Sequence, residues 1–516
     1  MGDLTKLINS ELKRIIKRIK VEFEPTKSYQ GKGCKRRKIS PPENESYILN
    51  STSDFPGKVP EGKISVSDDK RYDANLKEEP GRYDINGLYI PRPERSFSEQ
   101  KLDLRSTNDL GNETLSTWEA LALSDILEGF YTGWENEEYI IKNHVLLHSI
   151  WQRLHTGHWS EVPLGLRTAF TWGSINLVGL LLRKLLEGLE RRTDSPECLQ
   201  TKALRIVQAC DRGLLMGRPV EDNPLPEVAA LLNGAAMGIL NDGEVPIYDT
   251  VPDPLPIPTD TVPDEAVPFK CMTPLENQRL PHLQQFLLTR MKGQRPLKIS
   301  GLAESWPAIS KWDFNYLRRV AGARTVPVEV GLRYSDSNWS QTLMTLDHYF
   351  SAYLGSAEGT PPASGRQRAY LAQHQLCDQI PELLSDIMVP DYCRMGERDP
   401  VVNVWVGPEG TVTPLHHDPD HNILVQVHGY KTLLIFPESD SKSLYAFEDD
   451  LLSNTSRVNL EEEVKLKNMF ETWPLLKEVQ GHYVTLGPGD AVYLPPKWWH
   501  YVRSLSNSIS VSFWWR

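Results

Sequence analysis

The chain changes its hydrophobic periodicity on either side of a proline-rich stretch over residues 241–268, "NDGEVPIYDTVPDPLPIPTDTVPDEAVP". Proline lacks a backbone donor and fixes φ, so repeated prolines prevent helix formation and favour an extended, semi-rigid connector. We therefore expect two differently built domains, one before this connector and one over residues 269–516.

Short apolar or alternating segments recur after residue 269, and Gly, Pro and Asn separate them. They include "RPLKISGL", "VVNVWVGP", "NILVQVHG", "KTLLIFP" and "SISVSFWW". Alternating segments, and short apolar runs bounded by turn residues, indicate β-strands. Seven or more such strands, with a few helices before and between them, favour a double-sheet jelly roll, also called a double-stranded β-helix.

Residues 113–240 have a different pattern, with apolar residues three and four positions apart, as in "LRTAFTWGSINLVGLLLRKLLEGLERR". This spacing predicts amphipathic helices and hence an all-helical domain. The predicted fold class is therefore α+β, with the jelly roll following the helices. His144, His148, His155 and His158 lie in this part. Their spacing would allow metal binding, but no HExxH pattern accompanies them, so we favour ordinary helix-surface or core histidines.

Residues 1–112 are polar and lack apolar periodicity, which predicts a mostly disordered tail. The tail contains the basic run "KRRK" at residues 35–38. Such runs serve as nuclear import signals or are simply solvated charges, and the sequence leaves both open. The first interpretation places the protein in the nucleus, with the cytoplasm as a further location.

Composition excludes several classes of protein. The net charge of −11 argues against a broad basic surface for nucleic acid, so we expect no direct nucleic-acid binding. No run of about 18 apolar residues occurs, and we therefore expect no membrane span. The six cysteines form no CxxC pair, which favours reduced thiols over a disulfide framework.

The stretch "TPLHHDPDHN", residues 413–422, carries the main candidate site. Side chains alternate along a strand, so His416 and Asp418 are expected to face one side and His417 the other. We expect Pro419 to end the strand pairing. An imidazole and a carboxylate would then point together at one cation.

A third ligand is available in "PPKWWHYVRS", where His500 lies in an apolar strand near the C-terminal end. Two histidines and one carboxylate form a facial triad that suits Fe(II) and leaves positions for a co-substrate and O2. We expect His417 to be structural or exposed, and His421 to lie near the barrel mouth without binding metal.

At this point the last 250 residues or so resemble the JmjC family of Fe(II)- and 2-oxoglutarate-dependent oxygenases. The resemblance rests on "VEVGLRYSDSNWSQTLMT", "YLAQHQLCDQIPEL", "NVWVGPEGTVTPLHHDP", "NILVQVHGYK" and "WWHYVRSLSNSISVSFWW", in this order. It implies that His416, Asp418 and His500 bind iron.

The resemblance also implies four contacts to 2-oxoglutarate. Lys431 matches the lysine on the strand after HxD that binds the distal carboxylate. Tyr370, Thr413 and Asn422 match other co-substrate contacts, with Thr413 standing where the family carries Ser. The alternative is that Lys431 is an ordinary surface lysine on an edge strand, and the nearby HxD motif favours the co-substrate role.

The family resemblance implies oxidation of a protein side chain. We predict arginine C-hydroxylation of basic protein substrates, with a role in chromatin regulation. The alternatives are histone lysine demethylation and a catalytically inactive chromatin- or protein-binding scaffold. Four further residues are open: Trp405 is a core residue or a site wall, only one of Trp514 and Trp515 can face inward, and Asp420 is a candidate for an acidic mouth or a solvated turn residue.

Overall fold

The computed structural model describes residues 137–156, 161–238, 269, 272–331, 339–354, 368–448, 452–461 and 469–516, together with the single residues 14, 119, 122 and 123. The predicted connector over 241–268 lies outside the described residues, as does the predicted tail over 1–112 apart from Arg14. The described residues belong to one compact unit. None of their helices is long and apolar enough to cross a membrane.

Four helices with described bounds precede the barrel in the part of the chain that the structure describes: α1 Glu137–Leu154, α2 Leu164–Arg191, α3 Pro196–Met216 and α4 Leu225–Ala236. Helix α3 begins where its sequence provides a cap, because the Ser195 hydroxyl accepts from the Cys198 amide at 3.3 Å and proline occupies the first helical position. The apolar stripes of α2, α3 and α4 share one buried cluster that includes Val178, Val207 and Val228. This confirms the predicted helical region N-terminal to the barrel.

Fourteen strands follow among the described residues: β1 Met272–Pro274, β2 Asn277–Arg279, β3 Leu297–Ser300, β4 Thr325–Val330, β5 Ser340–Thr345, β6 Ala369–His374, β7 Val401–Gly407, β8 Val412–His416, β9 His421–His428, β10 Lys431–Phe436, β11 Gly481–Leu486, β12 Ala491–Leu494, β13 Trp499–Ser504 and β14 Ser508–Trp515. Short α-helices lie between them: α5 Leu283–Phe286, α6 Pro307–Lys311, α7 Phe314–Ala321, α8 Leu346–Tyr353, α9 Leu376–Gln379 and α10 Met469–Thr472.

The strands form two sheets. A five-stranded sheet has the order β1-β11-β10-β13-β8, and a nine-stranded sheet has the order β2-β3-β12-β9-β14-β7-β6-β4-β5. Consecutive strands repeatedly change sheet, as β8 and β10 belong to the smaller sheet while β9 belongs to the larger. This alternation is the double-sheet jelly-roll arrangement, and it confirms the predicted fold class.

Apolar side chains from both sheets fill the space between them. Leu433 and Val502 of the five-stranded sheet contact the same cluster as Leu424 and Leu494 of the nine-stranded sheet. A second and larger cluster packs α6 to α9 against the outer face of the nine-stranded sheet. The candidate site lies next to this inner cluster.

The helical part packs directly on the barrel part. Asn233 of α4 donates to the Arg319 carbonyl and accepts from the Ala323 amide, both at 3.0 Å. Asp211 of α3 pairs with Arg324, which immediately precedes β4. Because Ala323 is buried in the helical cluster itself, the two parts share one continuous interior.

Candidate metal centre and its cavity

Three side chains converge between the two sheets. His416 ends β8, Asp418 follows it, and His500 lies on the antiparallel strand β13, where it is the register partner of His416. One potential ligand atom from each residue lies within 4.8 Å of the other two. The imidazole centroids are 4.3 Å apart. Cross-strand pairing therefore brings together two residues that are 84 positions apart in the sequence.

Backbone carbonyls determine the tautomers of both histidines. His416 Nδ1 lies 2.8 Å from the Pro414 carbonyl oxygen, and His500 Nδ1 lies 3.0 Å from that of Trp498. A carbonyl can only accept, so each Nδ1 carries the proton and each Nε2 keeps a free lone pair. Metal-binding histidines are commonly oriented by this type of hydrogen bond.

The electrostatic environment also favours metal binding. Burial, and to a lesser extent the neighbouring His416, lower the pKa of His500 to about 4 despite the opposing effect of Asp418. The buried Asp418 Oδ2 has no hydrogen-bond partner among the described residues. The Asp418 oxygens lie 3.8 Å from His416 Nε2 and 3.6 Å from His500 Nε2. These separations are too long for hydrogen bonds, and two imidazoles with one carboxylate fit a divalent first-row metal.

The strand that carries the first histidine is shorter than predicted. We expected ladder pairing up to Pro419, but β8 ends at His416. The His417 amide instead donates to the Asn454 carbonyl, and the Asp418 carbonyl accepts from the Lys497 amide. Loop contacts thus replace the ladder, yet they keep Asp418 on the same side as His416.

The other two histidines of the motif pack elsewhere. The His417 ring meets Trp499 edge-on, with the centroids 4.7 Å apart. His421 stacks on Trp515 at 5.3 Å and on Tyr493 at 5.9 Å. Neither residue lines the cavity that contains His416.

A single cavity is lined by all seven residues that the sequence selects, namely Tyr370, Thr413, His416, Asp418, Asn422, Lys431 and His500. Lys431 begins β10, the second strand after the motif and not the first as expected. Gly429 makes the intervening turn with a φ of 73°, and a Cβ there would lie 2.1 Å from the Asn507 carbonyl oxygen. This turn carries the chain from one sheet to the other and places Lys431 at the cavity.

Lys431 is a buried cation without an anion. Its side chain is 2% exposed, and its Nζ donates to the Tyr370 hydroxyl at 3.2 Å. No carboxylate pairs with it among the described residues, and burial lowers its pKa to about 7. An unpaired buried ammonium is unfavourable. The cavity therefore favours binding of an anionic ligand, which would stabilise the charged form of Lys431.

Hydroxyl and amide groups surround this ammonium. Burial raises the pKa of Tyr370, while a hydrogen bond from Thr413 opposes the increase. The buried Oδ1 of Asn422 has no hydrogen-bond partner among the described residues. A buried polar atom of this kind costs free energy unless a ligand or water satisfies it.

Tryptophan residues whose orientation the sequence did not determine complete the wall of the cavity. Trp405 lines the cavity, donates to Ser512 at 2.9 Å, and lies 5.9 Å from the Tyr370 ring. Trp514 also lines it, whereas Trp515 faces away and stacks on His421. Strand alternation therefore predicts correctly that only one of the two tryptophans faces inward.

The two sheets contribute different chemistry. Thr413, His416, Lys431 and His500 lie on the five-stranded sheet, and Asp418 follows its strand β8. Tyr370, Trp405, Asn422, Ser512 and Trp514 lie on the nine-stranded sheet. The charged groups thus face a wall of aromatic, hydroxyl and amide side chains.

Asp420 does not have the role that was considered for it from the sequence, and Glu329 was not selected from the sequence at all. Asp420 is not a free acidic group at the mouth, because it pairs with Arg516 at 2.5 Å. Glu329, which the sequence analysis missed, is the register partner of Tyr370 and acts on the pKa of that phenol. Burial raises the pKa of Glu329, and Trp339 donates to its carboxylate at 3.3 Å. An acidic residue in an otherwise apolar strand, "TVPVEV", is the signal that would have identified it.

The helical histidines do not form a metal site among the described residues. The only cluster of three metal-ligating side chains there is the one at His416. His155 Nδ1 instead contacts the Trp151 carbonyl at 2.8 Å, and His148 contacts Gln152 at 3.1 Å. His158 lies outside the described residues.

Comparison with known proteins agrees with this architecture. A cupin-like domain matches residues 284–516. The chain is 34% identical to Jumonji C domain-containing protein 5 of Drosophila melanogaster, over 76% of this chain and 90% of that protein. It is 35% identical to lysine-specific demethylase 8 of Danio rerio, over 72% and 86%. It is 27% identical to the human bifunctional peptidase and (3S)-lysyl hydroxylase JMJD7, over 43% and 77%. Extensive matches at this level of identity, together with the barrel, establish that the chain belongs to the JmjC family of Fe(II)- and 2-oxoglutarate-dependent dioxygenases.

Proposed function

We propose that this protein hydroxylates carbon atoms of arginine side chains in basic protein substrates, using Fe(II) and 2-oxoglutarate. The observation that carries the proposal is the buried, anion-free Lys431 in the same cavity as the His416, Asp418 and His500 cluster. A metal-ligand set and an isolated cation that line one cavity fit a metal-chelating dicarboxylate.

The metal would be held by His416 Nε2, His500 Nε2 and a carboxylate oxygen of Asp418. With 2-oxoglutarate and O2, the bound iron supplies oxidative decarboxylation of the co-substrate and transfer of one oxygen atom to a substrate C–H bond. The Pro414 and Trp498 carbonyls hold the two imidazoles in the required tautomer. The protein thereby contributes a preformed ligand geometry.

Lys431 would donate to the distal carboxylate of 2-oxoglutarate, and Tyr370 and Thr413 would orient the same group through their hydroxyls. The Asn422 amide offers a further polar contact. The Leu424, Leu494 and Val502 side chains line the same cavity and limit the space for water. A dry setting strengthens each charge-assisted hydrogen bond to the dicarboxylate.

The substrate side chain would meet an aromatic and acidic wall. Trp405 and Trp514 of the cavity lining provide flat faces, and Glu329, behind that lining, contributes negative charge next to Tyr370. A guanidinium is planar, stacks on aromatic faces and pairs with carboxylates, which favours arginine. The net charge of −11 favours approach of a basic peptide.

Lysine demethylation is the second candidate, because a methylated ammonium also suits an aromatic wall and two of the relatives above are named for demethylation or lysyl hydroxylation. Histones and other chromatin proteins are the basic substrates that either reaction would use in the nucleus. An inactive scaffold is the third alternative, and the complete ligand cluster with Lys431 argues against it.

The decisive experiment is mass spectrometry after incubation of the full chain with Fe(II), 2-oxoglutarate and matched peptides. The peptides carry arginine, lysine, dimethyl-lysine or norleucine at one position. A gain of one oxygen on the arginine peptide supports the proposal. Demethylation of the dimethyl-lysine peptide alone, with formaldehyde release, supports the second candidate. His416→Ala should abolish either reaction, and absence of any turnover in the unsubstituted protein would favour the scaffold.

A further inference from the structure

An open groove of about 1060 Å³ runs across the helical part, where Leu343 of β5 also lines it, and it shares no lining residue with the metal-centre cavity. Helix α2 forms its floor, while α1 and α3 form its two walls. The floor and lower walls are apolar and include Leu147, Trp151, Leu177, Leu181 and Ile206. An apolar groove between parallel walls is the type of surface that accepts an amphipathic helix.

Basic side chains follow the α3 wall of this groove. Lys202, Arg205 and Arg212 all line it, and successive members are three and seven residues apart. Positions at these spacings lie on one face of a helix, so the three cations form a stripe parallel to the α3 axis. Ala209 occupies the same face between the two arginines and leaves the groove open there.

The groove is cationic in a chain that is acidic overall. Its described lining contains four cationic side chains, with Lys184 as the fourth, and one carboxylate, that of Glu137. Lys184 pairs with Glu137 at 3.1 Å, and Lys202 pairs with Asp194 at 2.7 Å. Arg205 and Arg212 are exposed and form no ion pair within the described part of the chain.

We propose that this groove binds an amphipathic helix of a partner protein that is apolar on one face and carries Asp or Glu along the flank. The apolar face would cover the α2 floor, and the acidic flank would pair with Arg205 and Arg212. From Lys202 to Arg212 the wall extends about 15 Å, which matches roughly three turns of a bound helix. This interaction is separate from the oxygenase chemistry.

The apolar floor decides between a protein and a nucleic acid as the occupant. Interfaces with nucleic acid are polar and rich in phosphate contacts, whereas Leu177, Leu181 and Ile206 would meet only water or sugar there. An acidic amphipathic helix satisfies both the floor and the rim. Electrostatic complementarity would mainly accelerate association and select the partner.

The test uses the full chain and a displayed library of helix-forming peptides of about 14 residues, long enough for roughly four turns. We expect selection to enrich large apolar residues at i, i+3, i+4 and i+7 together with Asp or Glu beside them. Binding of an enriched peptide is then measured by fluorescence anisotropy. The double variant Arg205→Glu/Arg212→Glu should weaken it by about tenfold or more. The control Arg218→Glu reverses the charge of one exposed arginine outside the groove lining and should leave binding unchanged, and each single variant, Arg205→Glu or Arg212→Glu, has the same charge change as this control and should weaken binding.

Several outcomes would overturn the proposal. These are no enrichment, enrichment of basic peptides, equal binding by the double variant, or tighter binding of single-stranded RNA of equal charge than of the acidic peptide. Turnover of 2-oxoglutarate by the double variant serves as the folding control and should equal that of the unsubstituted protein.

Discussion

Asp211 and Arg324 form an ion pair in which neither side chain is measurably exposed, at 0% and 1%. The pair joins helix α3 to the start of β4. The Asp211 carboxylate accepts from Arg324 Nε at 2.9 Å, from the Thr325 amide at 2.6 Å and from Gln379 Nε2 at 2.8 Å. Gln379 continues the network to His374 at the end of β6, the strand that carries Tyr370. The helical part is thereby connected to the cavity wall through buried polar contacts.

Asp211→Ala should destabilise the protein by about 3–5 kcal/mol, because it leaves the Arg324 guanidinium buried without a counter-charge. The free energy of unfolding is measured by chemical denaturation. The matched control is Glu304→Ala, which breaks the exposed Arg279–Glu304 pair and should destabilise the protein far less, because water and salt screen exposed charges. Equal effects of the two substitutions would show that burial does not determine how much the Asp211–Arg324 pair contributes to the free energy of unfolding.

Asp418→Ala should abolish turnover while leaving the fold intact, because one of three metal ligands is lost from a preformed barrel. His417→Ala is the matched control and should have a much smaller effect, because its ring packs on Trp499 outside the cavity. Binding of Co(II), followed by its absorption spectrum, gives a readout independent of turnover. If His417→Ala were inactive and His416→Ala active, the metal ligand would be His417 and not His416.

Lys431→Met should have two opposite effects. It should weaken 2-oxoglutarate binding by about 2–5 kcal/mol, because a buried carboxylate loses its partner. It should also raise the thermal stability of the protein without co-substrate, because an unpaired buried cation is removed. Lys298→Met provides the contrast, since Lys298 pairs with Asp490 at 3.0 Å and its loss should destabilise. Unchanged co-substrate affinity in Lys431→Met would exclude the anion-binding role.

The affinity for 2-oxoglutarate should decrease as the pH rises above about 7. Burial lowers the pKa of Lys431 to about 7 in the free protein, and the dicarboxylate requires the protonated form. Below this pKa the ammonium is already charged and affinity is highest, whereas above it binding must first take up a proton. The loss approaches about tenfold per pH unit. Lys431→Arg, whose charge does not titrate, should remove this dependence when binding is measured by calorimetry across the pH series.

Replacing "KRRK" at residues 35–38 with alanines should abolish nuclear accumulation and leave catalysis unchanged. The run is the concentrated basic signal of the tail, and it lies far in sequence from the barrel. Fluorescence microscopy of a tagged chain measures localisation, and 2-oxoglutarate turnover measures activity. Unaltered nuclear accumulation would identify the run as ordinary solvated charge.

Periodicity was sufficient to predict the helical region, the jelly roll and the shared orientation of His416 and Asp418. These features depend on side-chain alternation and helical spacing, which are local properties of the sequence. The early end of β8 was not predictable, because the Asn454 carbonyl and the Lys497 amide that replace its ladder contacts come from distant loops. The pairing of Asp420 with Arg516 and the approach of Glu329 to Tyr370 likewise depend on which strands become neighbours. The groove between α1 and α3 is a property of helix packing, which no single helix reveals.

The division of the cavity between two sheets has a consequence for how such a protein can diversify. The three candidate metal ligands and Lys431 lie on or beside the five-stranded sheet, whereas Trp405, Ser512 and Trp514 lie on the nine-stranded sheet, which also carries Tyr370 and Asn422. Exchanges at Trp405, Ser512 or Trp514 can therefore reshape the recognised side chain while the oxidising apparatus stays untouched. A descendant lineage could acquire a new target by altering these three positions, and laboratory evolution toward a new target would do best to restrict mutagenesis to them and to spare Tyr370 and Asn422 of the same sheet.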